Sequence, residues 1–250
     1  MEGPQTPFEW IFYLAEKFSK SFISGTELTL YITIVGTLVG FLLGFVVGVI
    51  GDIKISKHDS LFKKIVVRIS KVFCCVYVEI FRDTPLIVQA MCIYYGLKLT
   101  GIGIEPIPAG ILVTFLNTGA YISETVRAGI NSIDLGQREG ALALGMSPLK
   151  TMVFIILPQA FKNIIPELAN MFLTNLKMTS VLNVIGISEL FMVAKTTGAV
   201  YYKYFESYMV IAIIYFILCF VFNRIFLFIE KKMAGKKDYA LAVEFMDDGK

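Results

Sequence analysis

The sequence has few of the residues that build catalytic or metal centres in membrane enzymes. It contains one histidine, His58, and four cysteines, which are Cys74, Cys75, Cys92 and Cys219. The cysteines lack the paired spacing of a zinc site or a disulfide framework, and no H-E-x-x-H motif occurs. The phosphate-binding motif G-x-x-x-x-G-K-[ST] is missing too. We therefore predict no catalytic, cofactor or metal site in this chain, and any ATP that drives it must be hydrolysed on another chain.

Charged residues are also scarce, and long apolar runs take their place. The chain is 56% hydrophobic and 17% charged, with a mean hydropathy of +0.70, far from the average soluble protein. A helix needs about 20 mainly apolar residues to cross a hydrocarbon core of roughly 30 Å. The sequence therefore predicts an all-α integral membrane protein with about five transmembrane helices: Leu28–Ile50, Val72–Leu99, Ile107–Ile130, Ile164–Leu190 and Tyr208–Ile229.

Positive charges outside these segments predict the orientation, because short cytoplasmic loops collect lysine and arginine. One basic group lies between spans one and two, at Lys54, Lys57, Lys63, Lys64, Arg68 and Lys71. Another follows span five, at Lys231, Lys232, Lys236 and Lys237. Both groups are expected in the cytoplasm. This arrangement puts the amino terminus outside, the carboxyl terminus inside, and the connection between Arg127 and Lys162 in the cytoplasm.

The chain divides into three predicted regions. Residues 1–22 form an amino-terminal arm in which Trp10, Leu14, Phe18 and Phe22 recur every four residues. That spacing suits a helix lying in the outer membrane interface, and an arm packed on the protein fits equally well. Residues 23–230 form the transmembrane domain, and residues 231–250 form a cytoplasmic tail.

Two local features modify the first two spans. In span one, Gly36, Gly40, Gly44 and Gly48 are spaced by four, which predicts a groove where another helix packs closely. In span two, Arg82 and Asp83 are followed by Thr84 and Pro85, and proline disfavours helical geometry in the residue before it. We expect one helix to end near Arg82 and a second to start with Thr84 as N-cap and Pro85 as first residue.

Polar side chains form a stripe on each of the next two spans. Span three carries Thr114, Asn117, Tyr121, Glu124 and Asn131, and span four carries Asn163, Glu167, Asn170, Thr174 and Lys177, both at helical spacing. Such stripes pair within the bundle, line a dimer axis or line a solute path. Because polar residues inside a membrane are commonly functional, we favour the solute path.

The stretch between these spans, DLGQREGALALGMSPLKTMVFIILPQA, predicts helix, tight turn, helix. Asp134 and Gln137 have the spacing of a capping box, Gly145 suits the end of the first helix, and Ser147-Pro148 suits the start of the second. Small residues at Gly140 and Ala141 make the first helix thin enough to enter a groove on another protein.

Residues of this stretch also match a known motif. Glu139, Ala141, Gly145, Ile155, Leu157 and Pro158 have the spacing of the EAA loop, E-A-A-x3-G-x9-I-x-L-P. The chain thus resembles the permease subunits of bacterial binding-protein-dependent ABC importers. Gly140 replaces the usual alanine, which keeps the residue small and weakens the helix by roughly 1 kcal/mol.

The segments FRDTPLIVQ, AYISETVRAGI, GQREGALALG and LKMTSVLNVIG resemble the polar amino-acid branch of that family. The resemblance covers most of residues 22–229. Met178 stands where the family commonly has aspartate, and Asp83 stands where it commonly has glycine.

The resemblance implies a MetI-like fold in the bacterial inner membrane and a permease that imports polar amino acids. It implies several partners: a second permease copy or homologue, ABC ATPase subunits that hold ATP and Mg, and an extracytoplasmic solute-binding protein, with no role for nucleic acid. It leaves the amino acid open among glutamine, glutamate, cystine, arginine and histidine. An ion-coupled secondary amino-acid transporter is the alternative, although such proteins often have two similar halves and no internal repeat is present.

The resemblance also assigns site residues. The residues that contact the ATPase are Gly136, Gln137, Glu139, Gly140, Ala141, Gly145 and Pro158. Among them, Glu139 makes the ionic contact, Gly145 sets the turn and Pro158 ends the second helix. The substrate path is lined by Arg82, Gln89, Asn117, Tyr121, Glu124, Asn170, Thr174, Lys177 and Ser180. Either Lys177 or Arg82 holds the carboxylate of the amino acid, and Glu124 faces its ammonium group.

Overall fold

The structure is a computed structural model that describes residues 4–56 and 59–234. Every regular element in these ranges is helical. In chain order they are α1 (Pro7–Lys17), α2 (Ser19–Asp52), α3 (Leu61–Asp83), α4 (Leu86–Leu99), α5 (Pro106–Asn131), α6 (Leu135–Ala143), α7 (Pro148–Thr151), a π-helical turn (Met152–Ile156), α8 (Leu157–Met178), a 3₁₀ segment (Thr179–Ile185), α9 (Leu190–Tyr201) and α10 (Tyr204–Ala234). Lys57, His58 and the tail from residue 235, including Lys236 and Lys237, lie outside the described residues.

Three helical stretches of the described chain are long and apolar enough to cross a membrane: Ser19–Asp52, Pro148–Ile185 and Tyr204–Met233. The α4 helix is apolar but shorter. The prediction of a basic loop before span two was wrong for Lys63, Lys64, Arg68 and Lys71, because these residues belong to α3. The Ser60 hydroxyl accepts a hydrogen bond from the Lys63 amide and starts the helix there.

Span four also differs from its prediction at both ends. Pro158 does not end the second helix, because one continuous helical stretch runs from residue 148 to 185. A proline lacks the amide hydrogen for an α-helical bond, and the π-helical turn just before it absorbs that irregularity within the helix. At the other end the helix stops at Gly186, whose φ of +88° favours glycine. The buried Glu189 then caps α9 by accepting hydrogen bonds from the amides of Phe191 and Met192.

The glycines of α2 form the predicted groove, and α5 fills it. A Cβ added at Gly36, Gly40, Gly44 or Gly48 would meet atoms of α5 at 2.5–2.6 Å, closer than packed atoms allow. The neighbours shift along α5 in step with the glycines, from Thr114 beside Gly36 to Val126 beside Gly48. The two helices therefore run in the same direction at close range.

The α8 helix packs against both α2 and α5 and runs in the opposite direction to them. The buried Asn175 donates hydrogen bonds from Nδ2 to the hydroxyls of Thr37 on α2 and Thr118 on α5, both at 2.8 Å. Toward the other end, the Asn163 amide donates to the hydroxyl of Ser132 just after α5, at 2.8 Å. These bonds fix the register of three helices, and the two that Asn175 makes are buried.

The amino-terminal arm packs on the protein. Leu14 is fully buried, and Phe22 joins a core cluster with residues of α9 and α10. The Trp10 ring lies 5.4 Å from that of Tyr201, centroid to centroid. Helix α2 already begins at Ser19, so the last residues of the predicted arm belong to that long helix.

Candidate functional site

A break between α3 and α4 brings several polar side chains together. Helix α3 ends at Asp83, and Pro85 occupies the N-cap position of α4. The prediction of a break was confirmed, but Thr84 is not the N-cap: its hydroxyl donates to the Ile80 carbonyl at 2.6 Å. The extended residues between the helices leave backbone carbonyls that need partners.

Gln89 and Asn117 supply those partners. The buried Gln89 donates from Nε2 to the carbonyls of Phe81 and Thr84, each at 2.9 Å. Asn117 on α5 donates from Nδ2 to the Phe81 carbonyl at 2.9 Å and to Gln89 Oε1 at 3.2 Å. These two predicted path residues therefore hold the break in shape and tie it to α5.

Beside the break lies a cavity of about 450 Å³, here called the Thr174 cavity. The predicted residues that line it are Arg82, Asn117, Tyr121 and Thr174. Asp83 and Met178, two of the three departures from the family pattern, also line it. Its volume lies within the range of about 300–1,000 Å³ that is typical of small-molecule sites.

Arg82 is the cation of this cavity. Its guanidinium carbon lies 5.7 Å from the centre of the Tyr121 ring, close enough for a cation–π contact. One of its nitrogens lies 3.9 Å from a Glu124 oxygen. Glu124 is bound more closely by Arg127 on the next turn of α5, at 2.6 Å. Glu124 lines a neighbouring cavity rather than the Thr174 cavity.

Other predicted path residues lie away from the Thr174 cavity. Lys177 and Asn170 are exposed on α8, and the Asn170 amide donates to Glu167 Oε2 at 3.4 Å. The Ser180 hydroxyl donates to the Lys177 carbonyl at 2.7 Å. In the stripe of span three, Thr114 is buried and packs against Gly36, whereas Asn131 is exposed at the end of α5.

The predicted helix, turn, helix between α5 and α8 is present, and we call residues 134–150 the elbow. The Asp134 carboxylate accepts a hydrogen bond from the Gly136 amide at 2.7 Å and caps α6. Gly145 has a φ of +83°, as a tight turn requires, and the Ser147 hydroxyl accepts from the Lys150 amide. The predicted contact residues Gly136, Gln137, Glu139 and Gly140 are exposed, whereas Ala141 is buried. Exposed leucines add an apolar surface: Leu135, Leu142, Leu144 and Leu149.

The sequence reasoning missed the ion pair that joins the elbow to the bundle. Arg138 on α6 donates from a terminal nitrogen to the carboxylate of Asp52, the last residue of α2, at 3.0 Å. The Asp52 side chain is 5% exposed and that of Arg138 is 21% exposed. The available signal was an acidic residue in an otherwise basic stretch after span one and an arginine inside the EAA segment. Their pairing needs the fold, because 86 residues separate them.

Comparisons with known proteins agree with this architecture. Residues 65–235 match the family described as "Binding-protein-dependent transport system inner membrane component". The arginine transport system permease protein ArtQ of Bacillus subtilis (strain 168) is 40% identical over 158 residues, or 63% of this chain and 72% of ArtQ. The glutamine transport system permease protein GlnP of Escherichia coli (strain K12) is 32% identical over 213 residues, or 84% of this chain and 92% of GlnP.

Solved structures give the same fold. A crystal structure of an amino acid ABC transporter with histidines has a chain that is 36% identical, with a TM-score of 0.77, covering 86% of this chain and 95% of that one. A chain of the inward facing MetNI methionine ABC transporter gives a TM-score of 0.71 at 20% identity, covering 87% and 98%. At 20% identity, the similarity to the methionine transporter chain concerns the fold alone.

Proposed function

Since this chain belongs to the family of binding-protein-dependent transport system inner membrane components, we propose that it is the permease subunit of an ATP-driven importer of polar amino acids. The observation that carries the proposal is an open cavity, with charged and polar residues in its lining, on an apolar helical bundle that also presents a capped elbow. Relatives with named arginine and glutamine transport functions support the substrate class. The sequence lacks a phosphate-binding loop, so ATP and Mg belong to a separate ATPase.

The Thr174 cavity is the proposed path of the amino acid. Arg82 is a fixed charge there, and it is better placed than Lys177 to bind the carboxylate, because Lys177 does not line this cavity. Thr174 and Tyr121 add hydroxyl groups for the polar atoms of the substrate. Gln89 and Asn117 act by holding the break between α3 and α4 open beside Arg82.

The elbow is the proposed site for the ATPase. Glu139 and the exposed leucines Leu142 and Leu144 provide a charged and an apolar contact on one short unit. The Asp52–Arg138 pair connects that unit to α2, and the continuous stretch from residue 148 connects it to α8. Closure of two ATPases would therefore move these helices as rigid bodies and switch access to the path.

A second permease, as an identical copy or a homologue, is the proposed partner within the membrane. Glu167, Asn170 and Lys177 are exposed on α8, and a polar face of this kind is costly against lipid. The second permease would cover that face, and a solute-binding protein would deliver the substrate from outside. The proposed location of the protein is the bacterial inner membrane.

Five crossings remain our proposal, with the amino terminus outside and the carboxyl terminus in the cytoplasm. The parallel course of α2 and α5, and the opposite course of α8, support crossings that alternate in direction. The broken pair α3–α4 would make the second crossing. The elbow and the basic start of α3 would then share the cytoplasmic side, as positive charges favour.

Uptake into proteoliposomes tests the function. Vesicles containing the permease with its ATPase and binding protein are expected to accumulate labelled L-arginine, L-glutamine or L-cystine only with ATP and Mg on the ATPase side. A non-hydrolysable ATP analogue serves as the control, and ionophores that collapse ion gradients should leave uptake unchanged. Uptake that needs a gradient but no ATP would instead identify an ion-coupled secondary transporter.

A further inference from the structure

A second cavity, of about 400 Å³, lies between α2, α3 and α5. We call it the Lys71 cavity. Its wall on α2 includes Gly48 and Gly51, just before the Asp52 that binds the elbow. Arg82 lines both this cavity and the Thr174 cavity. The Lys71 cavity thus adjoins the first cavity at Arg82 and lies toward the elbow.

Its lining carries charges of both signs on two helices. Lys71, Glu79 and Arg82 come from α3, and Glu124 and Arg127 come from α5. Arg127 and Glu79 are exposed on the single chain, and charges in such positions need a polar occupant or mutual pairing once lipid or another helix surrounds them.

Mutual pairing accounts for only part of that charge. Glu124 is engaged by Arg127 at 2.6 Å and lies 3.9 Å from Arg82. Lys71 and Glu79, in contrast, form no ion pair with any residue that the structure describes. The Glu79 carboxylate accepts a hydrogen bond from the Cys75 thiol at 3.3 Å. A cation and an anion on one wall are therefore available to a ligand that carries both charges.

We infer that the Lys71 cavity is a release site for the zwitterionic amino acid, in which Lys71 binds the carboxylate and Glu79 binds the ammonium group. The inference rests on the proposed function and adds a second binding site to the path of the amino acid. Lys71 precedes Glu79 by two helical turns, about 12 Å of rise, and both side chains are flexible enough to converge on a ligand between them. A substrate leaving Arg82 would reach Glu79 first and Lys71 next, on its way to the elbow side.

Cys75 offers a direct probe, because it lines the Lys71 cavity next to Glu79. A permease with Cys74, Cys92 and Cys219 changed to alanine keeps Cys75 as its sole thiol. In the reconstituted complex without ATP, we expect a saturating transported amino acid that carries no disulfide, L-arginine or L-glutamine, to slow alkylation of Cys75 by N-ethylmaleimide roughly tenfold.

Further variants test whether the protection of Cys75 comes from an amino acid in the Lys71 cavity or from one in the Thr174 cavity. Lys71→Met and Glu79→Gln should each remove the protection of Cys75. Thr174→Ala, in the first cavity, should leave it in place at saturating amino acid. A permease whose sole thiol is Cys92, which lines neither cavity, should react at the same rate with and without substrate.

The outcomes are distinct from those of the uptake test. ATP-driven uptake combined with an unchanged Cys75 rate would overturn the release site and leave the proposed function standing. Loss of protection in Thr174→Ala with full protection in Lys71→Met would also overturn it. Protection of Cys75 that depends on anionic phospholipid in the vesicles, and not on the amino acid, would likewise overturn the release site. The cavity would then hold a lipid headgroup. Failure of ATP-driven uptake for L-arginine, L-glutamine and L-cystine, and also for L-glutamate and L-histidine, which the sequence leaves open as well, would count against the proposed function itself.

Discussion

Replacing Arg138 with glutamine is expected to reduce ATP-driven uptake at least tenfold while the complex still assembles and hydrolyses ATP. The change removes the cation that binds the nearly buried Asp52 at 3.0 Å. Breaking a fully buried ion pair by removing one partner costs about 3–5 kcal/mol, and the partial exposure of Arg138 lowers that cost here. Here the loss would detach α6 from the end of α2. Uptake and ATP hydrolysis measured on the same proteoliposomes check the prediction.

The matched control is Lys150→Gln, which removes a cation from an exposed position of the same elbow and should leave uptake close to normal. A double-mutant cycle with Asp52→Asn separates two roles of Arg138. If Arg138 acts through Asp52, the double variant should be no worse than either single variant. Additive losses would indicate that Arg138 binds the ATPase instead. Normal uptake in Arg138→Gln would show that the Asp52–Arg138 pair does not transmit the movement of the ATPases to α2.

Valine at Gly44 is expected to eliminate most of the folded permease. A Cβ at this position would lie 2.6 Å from the Gly119 carbonyl oxygen and 2.8 Å from Ile122 Cβ on α5. The carbonyl belongs to a helix backbone and cannot turn aside, so α2 and α5 must separate. Overpacking of this kind typically costs 1–3 kcal/mol and occasionally more. The yield of monodisperse protein after extraction in detergent, and its thermal unfolding midpoint, report the effect.

Gly51→Val supplies the control on the same helix. A Cβ at Gly51, near the end of the same helix, would have no neighbouring atom within 4 Å, and the substitution likewise replaces a helical glycine with a β-branched residue. We expect near-normal yield and unfolding midpoint for this variant. Equal losses of yield and unfolding midpoint in both variants would show that replacing a helical glycine, and not the close approach of α5, causes the effect of Gly44→Val.

The sequence predicted those parts of the fold that local pattern controls. The glycine spacing in α2, the break before Pro85 and the caps at Asp134, Gly145 and Ser147 all depend on residues a few positions apart. The start of α3 was missed because Lys63 and Lys64 were interpreted as loop charges, whereas they lie on one side of a helix whose other side is apolar. Pro158 was misjudged because a π-helical turn lets the helix continue past it.

The sequence named residues that lie together in the structure, but it did not predict how they are arranged. Arg82, Asn117, Tyr121 and Thr174 do meet around one cavity. Lys177 has a similar position in the sequence pattern, but the rotation of α8 is set by Asn175, whose bonds to Thr37 and Thr118 direct the helix. The spacing of one polar stripe does not contain that information. The Asp52–Arg138 pair was beyond sequence reasoning for the same reason, since it depends on how two distant segments pack.

Crosslinking from the elbow tests the central claim most directly. Leu144 is 87% exposed next to the turn at Gly145, and Leu99 is 89% exposed at the end of α4. In the assembled complex, a photoreactive crosslinker on Leu144→Cys, in a permease without its native cysteines, is expected to capture the ATPase, whereas the same reagent on Leu99→Cys should not. Capture of the ATPase from Leu99 and never from Leu144 would contradict the account, because the motor would then act on the opposite side of the bundle.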